Sequence, residues 1–153
     1  MELILWRHAE AERASAGLPD QERKLTPIGL KQAQKMADWI RPRLPKQTKI
    51  LVGPSVRTCQ TADFLEMPYT VERKVGIGAD IADIIAAAQW PGEGGSVMVV
   101  CHQPSIGHLA SLFIAGIESE MPIKKCGMLW FSTREREHRM QVVLRAVIYP
   151  DLV

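Results

Sequence analysis

The sequence predicts an α/β fold built on parallel strands, and three observations carry that prediction. Leu3-Ile4-Leu5-Trp6 and Val97-Met98-Val99-Val100-Cys101 are short, unbroken apolar runs, the pattern of strands covered on both faces. Between them, strand-like stretches alternate with stretches of helical periodicity. Both runs end in a histidine, His8 and His102, at the strand's carboxyl end, where open α/β sheets bind ligands.

A chain of 153 residues fits a single domain, 1–153, large enough to bury a core without staples. Its 46% hydrophobic and 24% charged content is that of a soluble globular protein. With a formal charge of +2 and no concentrated basic tract, nothing in the global electrostatics argues for nucleic acid, and no nucleic-acid partner is expected. No apolar run reaches the roughly 18 residues of a membrane span, and the N-terminal apolar piece is too short for a signal peptide. A cytoplasmic protein with no membrane partner is expected. Cys59, Cys101 and Cys126 are odd in number and form no C-x-x-C pair, so all three are read as reduced. Cys101 ends an apolar run and reads as a buried structural thiol rather than a nucleophile.

After the first strand, Ala11 to Lys24 is polar, contains Gly17 and Pro19-Asp20, and reads as a loop on the rim of a site. Thr26-Pro27 is a helix start, an N-cap followed by proline at the first helical position. Ile28, Ala33, Met36, Ala37 and Ile40 then mark an amphipathic helix that ends before Pro42. Lys49 to Val52 is a second strand, Gly53-Pro54-Ser55 a turn, and Val56 to Glu66 a helix with Arg57 in its first turn, where N–H groups favour an anion. Thr70 to Val75 reads as a third strand, and Ala79 to Gln89 as a helix facing Ile81, Ile84, Ile85 and Ala88 inward. The loop Pro91 to Gly95 precedes the Val97–Cys101 strand, and Pro104 opens a helix burying Ile106, Leu109, Ala110, Phe113 and Ile114. The C-terminal third reads as a hairpin whose turn is the charged Arg134 to Arg139 stretch.

Parallel strands alternating with helices gather their carboxyl ends at one sheet edge, so Arg7, His8, Arg57 and His102 are expected to converge. Two imidazoles and two guanidiniums, with no carboxylate in the same motifs, make an anion pocket. An imidazole is a nucleophile near neutral pH, and a guanidinium presents a planar fork to phosphate. The expected chemistry is phosphoryl transfer: His8 attacks phosphorus, while Arg7, Arg57 and His102 hold the non-bridging oxygens. The arginines do the charge work done elsewhere by magnesium, so no metal or cofactor is expected. A zinc site from His102, His108 and Cys101 does not have a recurrent ligand spacing. His108 and His138 receive no role.

These residues carry a family resemblance. Arg7-His8 after a strand, the Leu25-Thr26-Pro27-Ile28-Gly29 helix start, Pro54-x-x-Arg57-x-x-Gln60-Thr61-Ala62, and an apolar strand ending in His102 with Pro104 and Gly107 behind it resemble the histidine phosphatase superfamily. Length and layout most resemble its short bacterial SixA-type phosphohistidine phosphatases, and the likeness covers nearly the whole chain. The resemblance implies a three-layer α/β/α sandwich around a mostly parallel sheet, phosphoglycerate mutase-like. It also implies His8 as phosphoryl acceptor, with Arg7, Arg57 and His102 as the phosphate pocket.

Three departures from the family pattern stand out. Ala9 replaces the glycine of Arg-His-Gly, and Gly53 the serine before the proline of the arginine motif. No Glu or Asp follows the third strand directly as proton donor. Asp80 is the nearest candidate there, and Glu10, Glu12 and Asp20 are candidates on the rim. A weak or missing general acid favours a leaving group that needs little help, such as phosphohistidine. Residues 58–101 leave no room for a cap domain, and an open site suits a phosphorylated protein. The alternatives are a phosphatase of small phosphorylated metabolites, sugar or nucleotide phosphates, and a non-catalytic phosphate-binding module. Nothing in the sequence speaks to oligomeric state.

Overall fold

The computed structural model describes residues 1–153. Its strands are β1 (Glu2–Arg7), β2 (Lys49–Val52), β3 (Thr70–Val71), β4 (Ser96–Cys101), β5 (Met128–Arg136) and β6 (Arg139–Ile148). Its α-helices are α1 (Pro27–Ile40), α2 (Val56–Asp63), α3 (Ile81–Ala88) and α4 (Ser105–Ala115). All six strands join one sheet in the order β3-β2-β4-β1-β5-β6. The first four are mutually parallel, and β5 and β6 add an antiparallel hairpin beside β1. The predicted, mostly parallel α/β/α architecture is the one observed.

Alternation along the strands divides the core. Leu3, Leu5, Val97, Val99, Leu129 and Phe131 pack against α3 and α4 through Ile84, Ile106 and Leu109. Ile4, Trp6, Ile50, Val52, Met98 and Val100 pack on the other face against Ala33, Met36, Ala37 and Ile40 of α1 and Ala62 of α2. β1 and β4 are buried along nearly their whole length, which explains their uninterrupted apolar sequence. No helix is long and apolar enough to cross a membrane.

The predicted cap of α1 is present: the Thr26 hydroxyl accepts the Gly29 N–H at 3.0 Å. Several boundaries differ. α2 stops at Asp63 rather than Glu66, where Glu66 takes a positive φ of 54°. α3 begins at Ile81 rather than Ala79, because Asp80 is its cap, and ends at Ala88. The third strand is only Thr70–Val71, both exposed at the sheet edge; Arg73–Val75 is a 3-10 turn that directs Val75 alone inward. Ile28, at 59% exposure, and Ile114, at 47%, lie in terminal turns of α1 and α4 and do not join the core. The β5 and β6 strands extend into the expected charged turn, leaving only Glu137 and His138 between them, both with positive φ as a tight hairpin requires.

One close approach fixes α1 against the site. A Cβ on Gly29 would stand 2.0 Å from the Glu10 carbonyl oxygen, which also accepts the Thr26 N–H at 3.0 Å. Gly29→Ala is therefore expected to cost about 1–3 kcal/mol of stability through overpacking. The check is urea unfolding, with a lower midpoint at an unchanged m-value.

Candidate active site

The site is assembled by strand register. Arg7 pairs with Cys101 across β1 and β4, and the His8 N–H donates to the Cys101 carbonyl at 3.1 Å. His8 and His102 therefore leave neighbouring strands at the same level, and their ring centroids lie 5.1 Å apart at a 56° tilt. β2, on the other side of β4, ends with the Gly53 N–H on the Val100 carbonyl at 3.1 Å. Ser55 then caps α2, accepting the Thr58 N–H at 3.3 Å, and Arg57 follows in the first turn. His8, His102 and Arg57 are 7%, 2% and 3% exposed, so the cluster is almost wholly buried.

Hydrogen bonding sets the His8 tautomer. Nδ1 lies 2.7 Å from the Ala9 carbonyl oxygen, which only accepts, so the ring proton sits on Nδ1 and Nε2 keeps its lone pair. Nε2 of His102 lies 3.4 Å from the Ser55 hydroxyl. Burial pushes the His8 pKa down to about 3, with His102, Arg57 and Arg7 lowering it further against the bond to Ala9. Burial likewise pushes His102 down to about 4, helped by Arg57. Both rings are neutral near pH 7.

The two arginines are tethered alike. Nη1 of Arg7 donates to the Ile123 carbonyl at 2.5 Å, and Nη1 of Arg57 to the Asp20 carbonyl at 2.6 Å. Nε of each is buried and has no partner in the protein. A buried donor without an acceptor is costly and uncommon. In both cases the unused donor belongs to the side edge of the guanidinium, the fork that grips an oxyanion with two parallel bonds. Burial lowers both guanidinium pKa values, yet arginine stays cationic in proteins.

A carboxylate joins this cluster, against expectation. Asp20 accepts from Arg57 Nη2 at 3.1 Å and from Arg23 Nε at 2.7 Å. Burial alone would raise its pKa, but the bonds from Arg23 and Arg57 outweigh burial and hold it below the ordinary carboxylate value. The Asp20 carboxylate is thus held ionised beside Arg57 and Arg23. The other candidate acids are also engaged: Asp80 caps α3 through the Ala82 N–H at 3.0 Å, and Glu10 accepts the Thr26 hydroxyl at 3.0 Å. Glu12 contributes its backbone carbonyl, which accepts from Arg23 Nη1 at 2.6 Å.

Sequence reasoning missed Arg23, whose charge acts on both Arg57 and His102. The signal was its place three residues after Asp20 in the rim loop. Gly53 gains a steric reason, since a Cβ there would meet the Val75 carbonyl oxygen at 2.8 Å. The turn after β3 occupies the space a serine would need. His108 lies apart from the cluster, paired with Glu118 at 2.9 Å, and no three His, Cys, Asp or Glu side chains are grouped to hold a metal ion. All three cysteines are free thiols, and burial raises the Cys101 pKa to about 12, which leaves it un-ionised.

Residues 3–77 match the histidine phosphatase superfamily (branch 1). The phosphohistidine phosphatase SixA of Escherichia coli (strain K12) is 29% identical over 124 residues, 76% of each chain. A structure of the protein histidine phosphatase SixA complexed with tungstate superposes with a TM-score of 0.81 at 22% identity, covering 99% of this chain and 98% of the other. A SixA structure from Agrobacterium tumefaciens superposes at 0.79 with 22% identity, covering 97% of both.

The depressed histidine pKa values carry a stability consequence. Between their folded values, about 3 for His8 and about 4 for His102, and the unfolded value of 6.5, the unfolded chain binds more protons than the native one. The stabilisation is thus full above pH 6.5 and is lost as pH falls toward 3. Urea unfolding from pH 7 to pH 5, where most carboxylates remain ionised, should show declining stability in the wild type. The slope should be flatter in the His8→Ala/His102→Ala double variant.

Proposed function

Because the chain belongs to the histidine phosphatase superfamily, we propose that it is a metal-independent phosphatase of phosphohistidine, or of another phosphorylated protein side chain. The reaction runs through a covalent phosphohistidine on His8. The observation that carries this reading is the pairing of a neutral His8, Nε2 unprotonated, with two guanidiniums whose buried Nε donors lack an acceptor.

In the first step the Nε2 lone pair of His8 attacks phosphorus, and the bond to the leaving group breaks with its electron pair. The side edges of Arg7 and Arg57 hold the non-bridging oxygens as charge builds, and His102 faces the same group from the opposite strand. Water then attacks phosphorus, the bond to Nε2 breaks with its electron pair returning to the ring, and orthophosphate leaves carrying both protons of the attacking water. His8 returns to its starting tautomer, held by the Ala9 carbonyl.

The choice of phosphohistidine rests on the carboxylates. Asp20, Asp80 and Glu10 each have a structural partner, and Asp20 is held ionised, which suits a leaving group that needs no enzyme acid. A ring nitrogen takes its own proton from solvent, whereas an alkoxide from a phosphoester depends on a donor. The stretch from α2 to β4 holds only β3, a 3-10 turn and α3, leaving the mouth open to a side chain presented by another protein.

His8→Ala is expected to abolish turnover and the acid-labile phosphoenzyme seen by rapid quench. Arg57→Ala should lower kcat/KM by about a hundredfold or more. EDTA should leave turnover unchanged. A phosphohistidine protein assayed beside sugar and nucleotide phosphates decides the substrate class: strong turnover of one metabolite with none of the protein would reject the phosphoprotein reading. An acid-labile phosphoenzyme on the wild type argues against a mere binding module.

A further inference from the structure

We propose that Thr61 is a positioning residue for His8, acting through the Ala9 peptide; this rests on His8 being the nucleophile. Thr61 lies on α2, one turn after Arg57, and is fully buried. Its hydroxyl donates to the Arg57 carbonyl at 2.7 Å, an ordinary bond of a helical threonine to the residue four positions back. The second bond is not ordinary. The same oxygen accepts the Ala9 N–H at 3.0 Å, a contact between residues 52 positions apart.

Ala9 is fully buried, and the peptide groups on both sides of its Cα are held. The N–H of the His8–Ala9 peptide is fixed by Thr61, while the carbonyl of the next peptide, whose own N–H, that of Glu10, donates to Gln32 Oε1 at 3.0 Å, accepts the Nδ1 proton of His8 at 2.7 Å. The chain of bonds therefore runs from the Arg57 backbone through the Thr61 hydroxyl to the Ala9 peptide and on to the His8 ring. One helix thus carries an oxyanion-binding guanidinium and the anchor that orients the attacking imidazole. With the Ala9 N–H released, rotation about the Ala9 backbone would draw its carbonyl off Nδ1, and the ring proton would then be free to settle on Nε2, which blocks attack. Gln60, the neighbouring residue, makes the parallel contact to the other rim segment, accepting the Leu25 N–H at 2.8 Å.

The test compares Thr61→Val, which keeps the shape but not the hydroxyl, with Thr61→Ser, which keeps the hydroxyl. Nitrogen-15 NMR of the ligand-free protein reads the His8 tautomer, rapid quench reads the rate of phosphoenzyme formation, and titration with inorganic phosphate reads the pocket. Thr61→Ser should resemble the wild type. Thr61→Val should show mixed tautomers and slower phosphoenzyme formation, by about tenfold to a hundredfold, the scale found for partners that orient a histidine ring. Phosphate affinity should stay within about twofold, because Arg7 and Arg57 keep their own tethers. Should Thr61→Val fail to fold, Thr61→Ala carries the same comparison.

The proposal is overturned if the variant without the hydroxyl keeps the wild-type tautomer and rate, or if Thr61→Ser is as slow as Thr61→Val, which would assign the effect to packing of the methyl. A wild type that forms no phosphoenzyme while the tautomer still depends on the hydroxyl would reject the proposed reaction and leave the positioning role standing.

Discussion

The geometry of the site depends on the register of β1 against β4. Side chains alternate between faces, so a slip of one residue would send each apolar set into the wrong layer. Here both faces of both strands are covered, by α1 and α2 on one side and by α3 and α4 on the other. Every residue from Leu3 to Trp6 and from Val97 to Cys101 therefore votes for the same register. The pairing of Arg7 with Cys101 follows, and with it the meeting of the His8 and His102 rings. The hydrophobic core sets the distance between two imidazoles that contribute nothing to it.

The electrostatics of the pocket follow from the same burial. Desolvation disfavours charge, and the two histidines yield to it by staying neutral, which keeps a lone pair on His8. The arginines cannot yield and are instead tethered, each by one nitrogen to a loop carbonyl. Asp20 offsets part of the remaining charge, and its two partners keep it ionised. What remains without a partner is the Nε of each guanidinium.

Much of this was legible in the sequence because the strongest signals were hydrophobic. The β1 and β4 runs, the Thr26-Pro27 cap and the turn into α2 were readable, as was the convergence of the four polar residues at one edge. The boundaries that shifted are those where a polar residue competes with the helix: Asp80 left α3 to cap it, and Glu66 ended α2 in a left-handed turn. The third strand shrank because an exposed edge offers no burial to hold it. In the site, sequence reasoning could count carboxylates but not see their partners. The bond between Asp20 and Arg57 joins a rim loop to a helix start 37 positions away, and no local pattern encodes it.

The same limit applies to α2, where composition suggested one functional residue and the structure places three on successive turns. Arg57 faces the anion pocket, Gln60 holds the segment before α1 and Thr61 holds the segment after β1. The His8 ring and the Arg57 guanidinium are therefore not independent parts. Both are referred to one short helix, whose own start is fixed by Ser55 and Thr58 through bonds that also reach the Gly53 carbonyl and His102. A helix of eight residues has little stability of its own, so its placement comes from these polar anchors and from Ala62 in the core. Anything that moves α2 moves the Arg57 guanidinium and the backbone that meets the His8 ring together, which preserves their alignment at the cost of making either one hard to change alone.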